Sequence, residues 1–236
     1  MPSPAPPVSV RLTTLPDVPC PYLPGRVETI RAIMASSIDG DTYRAFMDAG
    51  FRRSGRMIYQ PICRTCSECR QIRVLTQAFT PTASQRRVGR KNADVAVTVG
   101  PPDLTDEKLA VYHRYLADQH GKPGESDEAS LRNFLYDSPT DTLEFVYRDP
   151  AGRLLAVGIC DVSSTSLSSV YFYYDPADAA RSLGTFGAVY EIAWAAERGL
   201  PYYYLGYWVR DCPAMTYKAN FRPAEVLSED GGWCPL

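Results

Sequence analysis

The chain has 236 residues, of which 45% are hydrophobic and 22% are charged. This balance is typical of a folded globular protein and excludes a disordered or fibrous chain. No apolar stretch approaches the roughly 20 residues that span a bilayer, and the N-terminus lacks the basic-then-apolar order of a secretory signal. We therefore expect a cytoplasmic protein without membrane contact.

The net charge of −2 conceals two oppositely charged regions. Residues 52–91 contain ten Lys or Arg and one acid, Glu68, which gives +9. Residues 101–236 contain 11 basic and 20 acidic residues, which gives −9. A near-neutral chain with this distribution can present a basic face to a polyanion such as a nucleic acid.

The first hundred residues divide into a Pro-rich, mobile N-terminus (1–15) and a basic subdomain (16–100) that contains a cysteine loop. Pro101 and Pro102 mark the predicted boundary of this subdomain. Hydrophobic periodicity and turn residues predict its elements. In chain order these are a strand over 27–34, a helix over 39–49, an extended segment over 51–60, a loop over 61–70, a strand over 72–79, a helix over 84–92 and a strand over 94–99.

The second domain, residues 101–236, begins with a helix that Thr105 caps and that carries acids in its first turn, where the helix dipole favours them. A hairpin turn is predicted at 149–152. The elements are helices over 105–120 and 126–136, strands over 143–148, 153–161 and 168–174, a helix over 184–198 and a strand over 202–206. This order predicts an α+β sheet in which the last strand lies parallel to its predecessor through a helical crossover.

The element order resembles the acetyltransferase-like fold of the GNAT superfamily, a mixed sheet flanked by helices. In that fold a loop of pattern Q/R-x-x-G-x-G/A cradles a pyrophosphate with its backbone N–H groups. Residues 181–184 match the first four positions, whereas Phe186 stands at the sixth and would crowd a coenzyme A pyrophosphate. The resemblance thus implies the fold without its usual donor.

Seven short motifs occur in one order between residues 20 and 225. They are Cys20-Pro21-Tyr22-Leu23-Pro24, Gly50-Phe51-Arg52-Arg53-Ser54-Gly55, Tyr59-x-Pro61-x-Cys63-x-x-Cys66-x-x-Cys69, Ser84-Gln85-Arg86-Arg87, Ser182-Leu183-Gly184, Tyr204-Leu205-Gly206-Tyr207-Trp208 and Met215-x-Tyr217-Lys218-x-x-Phe221-x-Pro223-x-Glu225. Together they resemble the arginyl/leucyl-tRNA-protein transferases of the N-degron pathway. The short length and three-cysteine loop look more like the bacterial group, which transfers leucine, than the eukaryotic group, which transfers arginine. Two residues depart from the family: Leu23, where eukaryotic members have a second cysteine, and Gln71, where bacterial relatives commonly have proline.

The resemblance implies an enzyme that moves leucine from leucyl-tRNA to the α-amine of proteins beginning with Asp or Glu. Arginyl transfer, a GNAT-type N-acetyltransferase and a noncatalytic RNA-binding protein are the alternatives. An α-amine has a pKa of about 7.7 to 8.0, so a neutral fraction exists at pH 7 without a strong base. His113 and His120 both fall in a predicted helix, and the sequence assigns no catalytic residue.

Two groups of basic residues are candidate binding sites. Arg86, Arg87, Arg90 and Lys91 would share one side of the short helix over 84–92 and bind tRNA phosphates. Arg52, Arg53, Arg73 and Lys218 are candidates for the carboxylate of the acceptor. The competing interpretations are a solvated helix for the first group and structural pairing with the acidic C-terminal half for the second.

Two further sites follow from aromatic and cysteine residues. Tyr207 and Trp208, past the end of a strand, together with Gly184 at a helix start, are predicted to form the aminoacyl pocket. Cys63, Cys66 and Cys69 have the spacing C-x2-C-x2-C, and Cys20 could supply a fourth thiolate for structural zinc or an iron-sulfur cluster. The alternative is four reduced cysteines that pack a loop. The chemistry itself requires no cofactor.

Overall fold

The structure is a computed structural model that describes residues 10–120 and 127–236. Residues 1–9 of the predicted mobile N-terminus, and the predicted helix start at residue 126, lie outside these ranges. No helix within them is long and apolar enough to cross a membrane.

The N-terminal part alternates short strands with two helices. Its elements are β1 (Thr13–Thr14), β2 (Val18–Pro19), β3 (Val27–Glu28), β4 (Ile30–Met34), α1 (Gly40–Asp48), β5 (Arg52–Ser54), β6 (Met57–Pro61), β7 (Arg70–Leu75), a 3-10 turn (Thr76–Ala78), α2 (Ala83–Lys91) and β8 (Ala96–Gly100). Asp39 caps α1 by accepting from the Thr42 N–H. Thr82 and Gln85 form a reciprocal capping box on α2, which explains why so short and basic a segment begins a helix there.

The C-terminal part follows the predicted order with additions. Its elements are α3 (Asp106–His120), α4 (Glu128–Leu131), a π-helical turn (Arg132–Tyr136), β9 (Thr142–Arg148), β10 (Leu154–Val162), β11 (Ser166–Tyr174), a 3-10 segment (Pro176–Arg181), α5 (Leu183–Glu197), β12 (Tyr202–Trp208), α6 (Pro213–Thr216), a 3-10 segment (Tyr217–Asn220), β13 (Ala224–Leu227) and β14 (Trp233–Pro235). The segment predicted as one helix over 126–136 is thus a short α-helix continued by a π-helical turn. The strands β13 and β14 were not predicted.

The main sheet has eight strands in the order β14-β13-β7-β12-β11-β10-β9-β8. Only β11 and β12 pair in parallel, and α5 connects them, which confirms the predicted crossover. The architecture is therefore a large mixed α+β sheet flanked by helices. Because β7 and β8 precede residue 101 and belong to this sheet, the sheet extends across the predicted boundary. The domain division itself stays a prediction.

Two apolar layers hold helices on the sheet. Ala188 and Ile192 of α5 pack with Leu155 in the largest core cluster. Val111 of α3 packs with Val157 in a second cluster. Burying each large aliphatic side chain stabilises the fold by roughly 1.5–3 kcal/mol.

A separate four-stranded sheet, with the order β1-β4-β6-β5, is built entirely from the N-terminal part. Tyr43 and Met47 of α1 join Ile58 of this sheet and Tyr204 of β12 in one core cluster. This shared cluster fixes β5, and therefore the arginines at its start, against the middle of the main sheet.

Candidate functional site

A gap opens between the two parallel strands of the main sheet. β11 and β12 pair only where Ser166 to Ser168 run beside Tyr202 to Tyr204. Beyond these residues the two strands no longer pair with each other, although β11 stays paired with β10 and β12 with β7. The pairing of β12 with β7 has an irregularity between Tyr204 and Gly206. Main-chain carbonyls that lose strand partners need other donors when buried.

Arg52 supplies donors to that gap from the start of β5. Its guanidinium donates to three main-chain carbonyls, those of Ser169 (3.1 Å), Val170 (3.3 Å) and Leu205 (3.5 Å). Its side chain also lies over the ring of Tyr207, 5.8 Å from the centroid. Gly206 has φ +77°, and a Cβ there would stand 1.1 Å from Arg52 Nη1, so only glycine accommodates this arginine.

Lys218 enters the same region from the segment that follows α6. Its Nζ donates to the carbonyl of Tyr207 at 2.6 Å, and only 7% of the residue is exposed. Burial, together with the positive charge of Arg52, lowers the pKa of Lys218 to about 7. The neighbouring Tyr217, by contrast, is 47% exposed. Two basic side chains thus bind the irregular part of β12.

Arg53 and Arg73, predicted to bind an acceptor, instead bind internal acids. Arg53 makes two hydrogen bonds to Asp161, at 2.7 and 2.9 Å, and both side chains are fully buried. Its partner Asp161 belongs to the acidic C-terminal half, so the structure shows the pairing that was the competing interpretation for Arg53. The physical reason is that the buried Asp161 needs a cationic partner.

Arg73 is enclosed in the same way. It forms ion pairs with Asp48 at 2.9 Å and Glu225 at 2.7 Å. The rings of Tyr202 and Trp233 lie 3.9 Å from its guanidinium carbon. Glu225 belongs to the acidic C-terminal half, so the competing interpretation describes Arg73 too.

The three residues of the predicted aminoacyl pocket lie in different surroundings. Tyr207 is 2% exposed and donates its hydroxyl to the carbonyl of Gly50 at 2.9 Å, so it is largely a packing residue. Trp208 lines a cavity of about 340 Å³, and its indole N–H has no partner in the described part of the chain. Gly184, in the first turn of α5, lines neither this cavity nor the one beside the cysteines. Trp208 thus lines one of these two cavities, Tyr207 and Gly184 line neither, and the aminoacyl pocket stays a prediction.

The basic helix α2 has the exposed face that the sequence predicts. Its four cations, all exposed, are Arg86, Arg87, Arg90 and Lys91. Among the residues with described positions, none of them pairs with a carboxylate; Arg86 donates to the carbonyl of Pro81 and Lys91 to that of Ala180. Gln85 Nε2 donates to the carbonyl of Asn220 at 3.1 Å. The helix is thus attached to the short segment that carries Lys218.

Four cysteines line a cavity of about 310 Å³ between the N-terminal loops and β7. They are Cys20, Cys63, Cys66 and Cys69. Burial raises the pKa of the Cys69 thiol to about 12, and the other three cysteines add to the rise. Across residues 10–120 and 127–236, no group of three or more His, Cys, Asp or Glu is arranged to hold a metal ion. The thiols share one cavity without forming a ready coordination shell.

Glu191 is a buried titratable residue that was not among the predicted site residues. This residue of α5 is 1% exposed, and its carboxyl accepts hydrogen bonds from the hydroxyls of Tyr203 and Tyr147. Burial raises its pKa to about 7. The signal was an acid within an otherwise apolar helix, a position that requires polar partners once the helix is buried.

Two protein-family models match the chain. One, described as "Arginine-tRNA-protein transferase, N terminus", matches residues 18–87, and its C-terminal counterpart matches residues 107–228. A protein of Gluconacetobacter diazotrophicus named aspartate/glutamate leucyltransferase is 40% identical over 95% of this chain and 86% of its own length. One of the same name from Hahella chejuensis is 35% identical over 91% of this chain and 93% of its own length.

Among solved structures, the L-PGS of Bacillus licheniformis aligns with a TM-score of 0.47 and 16% identity, over 73% of this chain and 51% of that chain. FemX aligns with a TM-score of 0.46 and 9% identity, over 83% of this chain and 79% of that chain.

Proposed function

The chain belongs to the arginine-tRNA-protein transferase family, and we propose that it moves leucine from leucyl-tRNA to the α-amine of proteins that begin with Asp or Glu. The observation that carries this proposal is the name aspartate/glutamate leucyltransferase on relatives 35% and 40% identical over at least nine-tenths of the chain. Family membership makes the protein an aminoacyltransferase and sets aside the noncatalytic RNA-binding alternative. We assign the reaction to the cytoplasm and to the N-degron pathway.

We further propose that the main sheet is of the GNAT-like type. Three antiparallel strands (β9, β10 and β11), a crossover helix and a parallel strand support this assignment. The gap after the parallel pairing already contains Arg52. Phe186 packs on the ring of Tyr147, with centroids 5.9 Å apart. The presence of Arg52 in the gap, and of Phe186 at the sixth position of the pyrophosphate-loop pattern, both argue against the N-acetyltransferase alternative.

For the tRNA donor, we propose that α2 binds the acceptor stem. Four exposed cations without carboxylate partners can neutralise several phosphates and make binding depend steeply on salt. The hydrogen bond from Gln85 to Asn220 joins this helix to the segment that carries Lys218. A tRNA held on α2 would have its aminoacyl end directed towards that segment.

For the protein acceptor, Arg52 is the best-supported carboxylate partner. Arg52 is half-buried, its guanidinium hydrogen-bonds to main-chain carbonyls, and it makes no ion pair within the described ranges. A charge-assisted bond to the Asp or Glu side chain would therefore gain an interaction that the free protein lacks. This would bring the α-amine to the mouth of the gap.

The transfer needs mainly positioning. The amine nitrogen forms a bond to the leucyl carbonyl carbon, and the ester C–O bond to the terminal ribose breaks. Holding the two reactants together can contribute roughly 7 to 11 kcal/mol to lowering the barrier. Main-chain N–H groups near the irregular strands are candidates to stabilise the developing oxyanion.

The four cysteines retain a proposed role as a soft ligand set for zinc or an iron-sulfur cluster. Their thiol chemistry and shared cavity fit such a group, which would tie the N-terminal loops to β7. Binding would have to draw the sulfur atoms together. Metal analysis of protein purified without oxygen tests the proposal, and a preparation free of zinc and iron that is fully active would oppose it.

One assay tests the function. The protein is incubated with radiolabelled leucyl-tRNA, arginyl-tRNA or acetyl-coenzyme A, each with peptides that begin with Asp, Glu, Arg or Ala. We expect label to pass from leucyl-tRNA to the Asp and Glu peptides alone. Label from arginyl-tRNA or acetyl-coenzyme A instead would support one of the alternatives.

A further inference from the structure

We propose that Lys218 is a catalytic residue, the proton acceptor for the α-amine that attacks the leucyl ester. This role rests on the leucyl transfer proposed above. It differs from the carboxylate-binding role that the sequence predicts for the same residue, because proton acceptance requires a neutral amine rather than an ammonium ion.

The first support is the comparison of the two buried lysines, Lys108 and Lys218, which are 5% and 7% exposed. The amine of Lys108 pairs with the carboxylate of Glu144. Lys218 has no carboxylate within ion-pair distance in the described residues, and its one hydrogen-bond partner is the carbonyl of Tyr207. A buried ammonium without a counter-ion is costly, so the structure favours the uncharged amine at this position.

The second support is the set of ionisable groups around the amine. Burial has the largest effect on the pKa of Lys218, lowering it to about 7, and the guanidinium of Arg52 acts in the same direction. The thiols of Cys212 and Cys69 act weakly in the opposite direction. Near neutral pH a large fraction of the enzyme would therefore carry a lone pair on this nitrogen, which matches the requirement for a general base.

The third support is location. Lys218 lies between the groups proposed to hold the two substrates, since its segment bonds to α2 through Asn220 and its amine bonds to the residue whose ring faces Arg52. In an N-terminal Asp or Glu, the α-nitrogen and the side-chain carboxylate are separated by only a few bonds. An acceptor whose carboxylate bonds to Arg52 would thus bring its amine into the neighbourhood of Lys218.

The proton balance is complete within the reaction. The neutral acceptor amine attacks the leucyl carbonyl carbon, and the nitrogen becomes an ammonium in the tetrahedral intermediate. Lys218 Nζ takes one proton from it and becomes an ammonium. As the C–O bond to the ribose breaks, that proton passes to the departing ribose oxygen. The amide forms, and Lys218 returns to its neutral form.

The test compares Lys218→Met and Lys218→Arg with the wild type in steady-state leucyl transfer, with leucyl-tRNA and an Asp peptide each varied up to saturation. Methionine has similar length and cannot take a proton, while arginine remains protonated. We expect both variants to lose roughly 10² to 10⁴ in rate, the range typical of a lost general base, with little change in either KM. Arg222→Met, an exposed cation on the adjacent turn, is the matched control and should transfer at the wild-type rate.

The pH profile separates proton acceptance from a structural role. Below pH 7 the wild-type rate should fall with two protonations, those of the acceptor amine and of Lys218, whereas the Lys218→Met rate should fall with one. Near-UV circular dichroism and leucyl-tRNA binding report whether each variant folds. A folded Lys218→Arg variant with the wild-type rate, or a Lys218→Met variant that keeps both protonations, would overturn the role of Lys218. A wild type that transfers no leucine would instead refute the proposed function itself.

Discussion

Adjacent arginines of one strand, Arg52 and Arg53, have opposite environments. Arg53 is fully buried and shares two hydrogen bonds with Asp161. Arg52 is half-buried, and its hydrogen-bond partners within the described ranges are main-chain carbonyls. Because successive side chains of a strand point to opposite faces, one arginine holds the two sheets together while its neighbour reaches the gap in the main sheet.

The difference shows how a basic segment can divide its charges between stability and binding. Cations with internal carboxylates are satisfied in the free protein and gain little from a ligand. Cations with only carbonyl partners, or with exposed solvated heads as on α2, still have favourable interactions to gain from an anion.

Replacing Arg53 by Met should give the largest loss of stability. It would leave the Asp161 carboxylate buried without its cation, and breaking a buried pair in this way costs about 3–5 kcal/mol. Urea unfolding followed by circular dichroism measures the loss. Arg52→Met is the matched control on the same strand, and an equal loss in both variants would contradict the division.

Glu191 is the acidic counterpart, a buried carboxyl that has no cationic partner within the described ranges. Burial raises its pKa from 4.5 to about 7 in the folded protein. Its favourable contribution to the free energy of unfolding is therefore present below pH 4.5 and is lost as the pH rises through 7. Glu191→Gln removes this loss. Relative to wild type, the variant should gain on the order of 3 kcal/mol in unfolding free energy between pH 4.5 and 8. A difference that does not vary with pH would show that the carboxyl does not titrate there.

Reversing the four charges of α2 to Glu should weaken tRNA binding without unfolding the protein. Losing several phosphate contacts should raise the KM for leucyl-tRNA by about ten- to a hundredfold at moderate salt and flatten its salt dependence. Reversing Arg148 and Arg153, which already pair with internal acids, serves as the comparison for net charge. An unchanged KM and salt slope would remove the assignment of α2.

Arg52→Gln should give an effect confined to the acceptor. Loss of one charge-assisted hydrogen bond is expected to cost about 1.5–3 kcal/mol, which appears as a raised KM for Asp and Glu peptides. The KM for leucyl-tRNA should be unchanged. Competition between Asp and Asn peptides measures the selectivity directly, and full retention of the preference for Asp would refute the role of Arg52.

The sequence determined the local features because they depend on neighbouring residues. The capping box at Thr82 and Gln85 begins α2, and the spacing of its arginines gives one exposed cationic side. The hairpin turn and the apolar crossover helix likewise follow from short-range patterns, so the mixed sheet and its parallel pair were predictable. The family motifs, read together, indicated the transferase.

The tertiary structure decided which charges remain open to ligands. Arg52, Arg53 and Arg73 are alike in sequence, but the acid that pairs with Arg53 lies 108 positions away and those that pair with Arg73 lie 25 and 152 positions away, while Arg52 hydrogen-bonds to carbonyls. The same is true of Lys218, whose lowered pKa arises from burial and from the charge of Arg52 in the N-terminal part of the chain. Burial and pairing of charges are properties of long-range packing, and no short stretch of sequence encodes them.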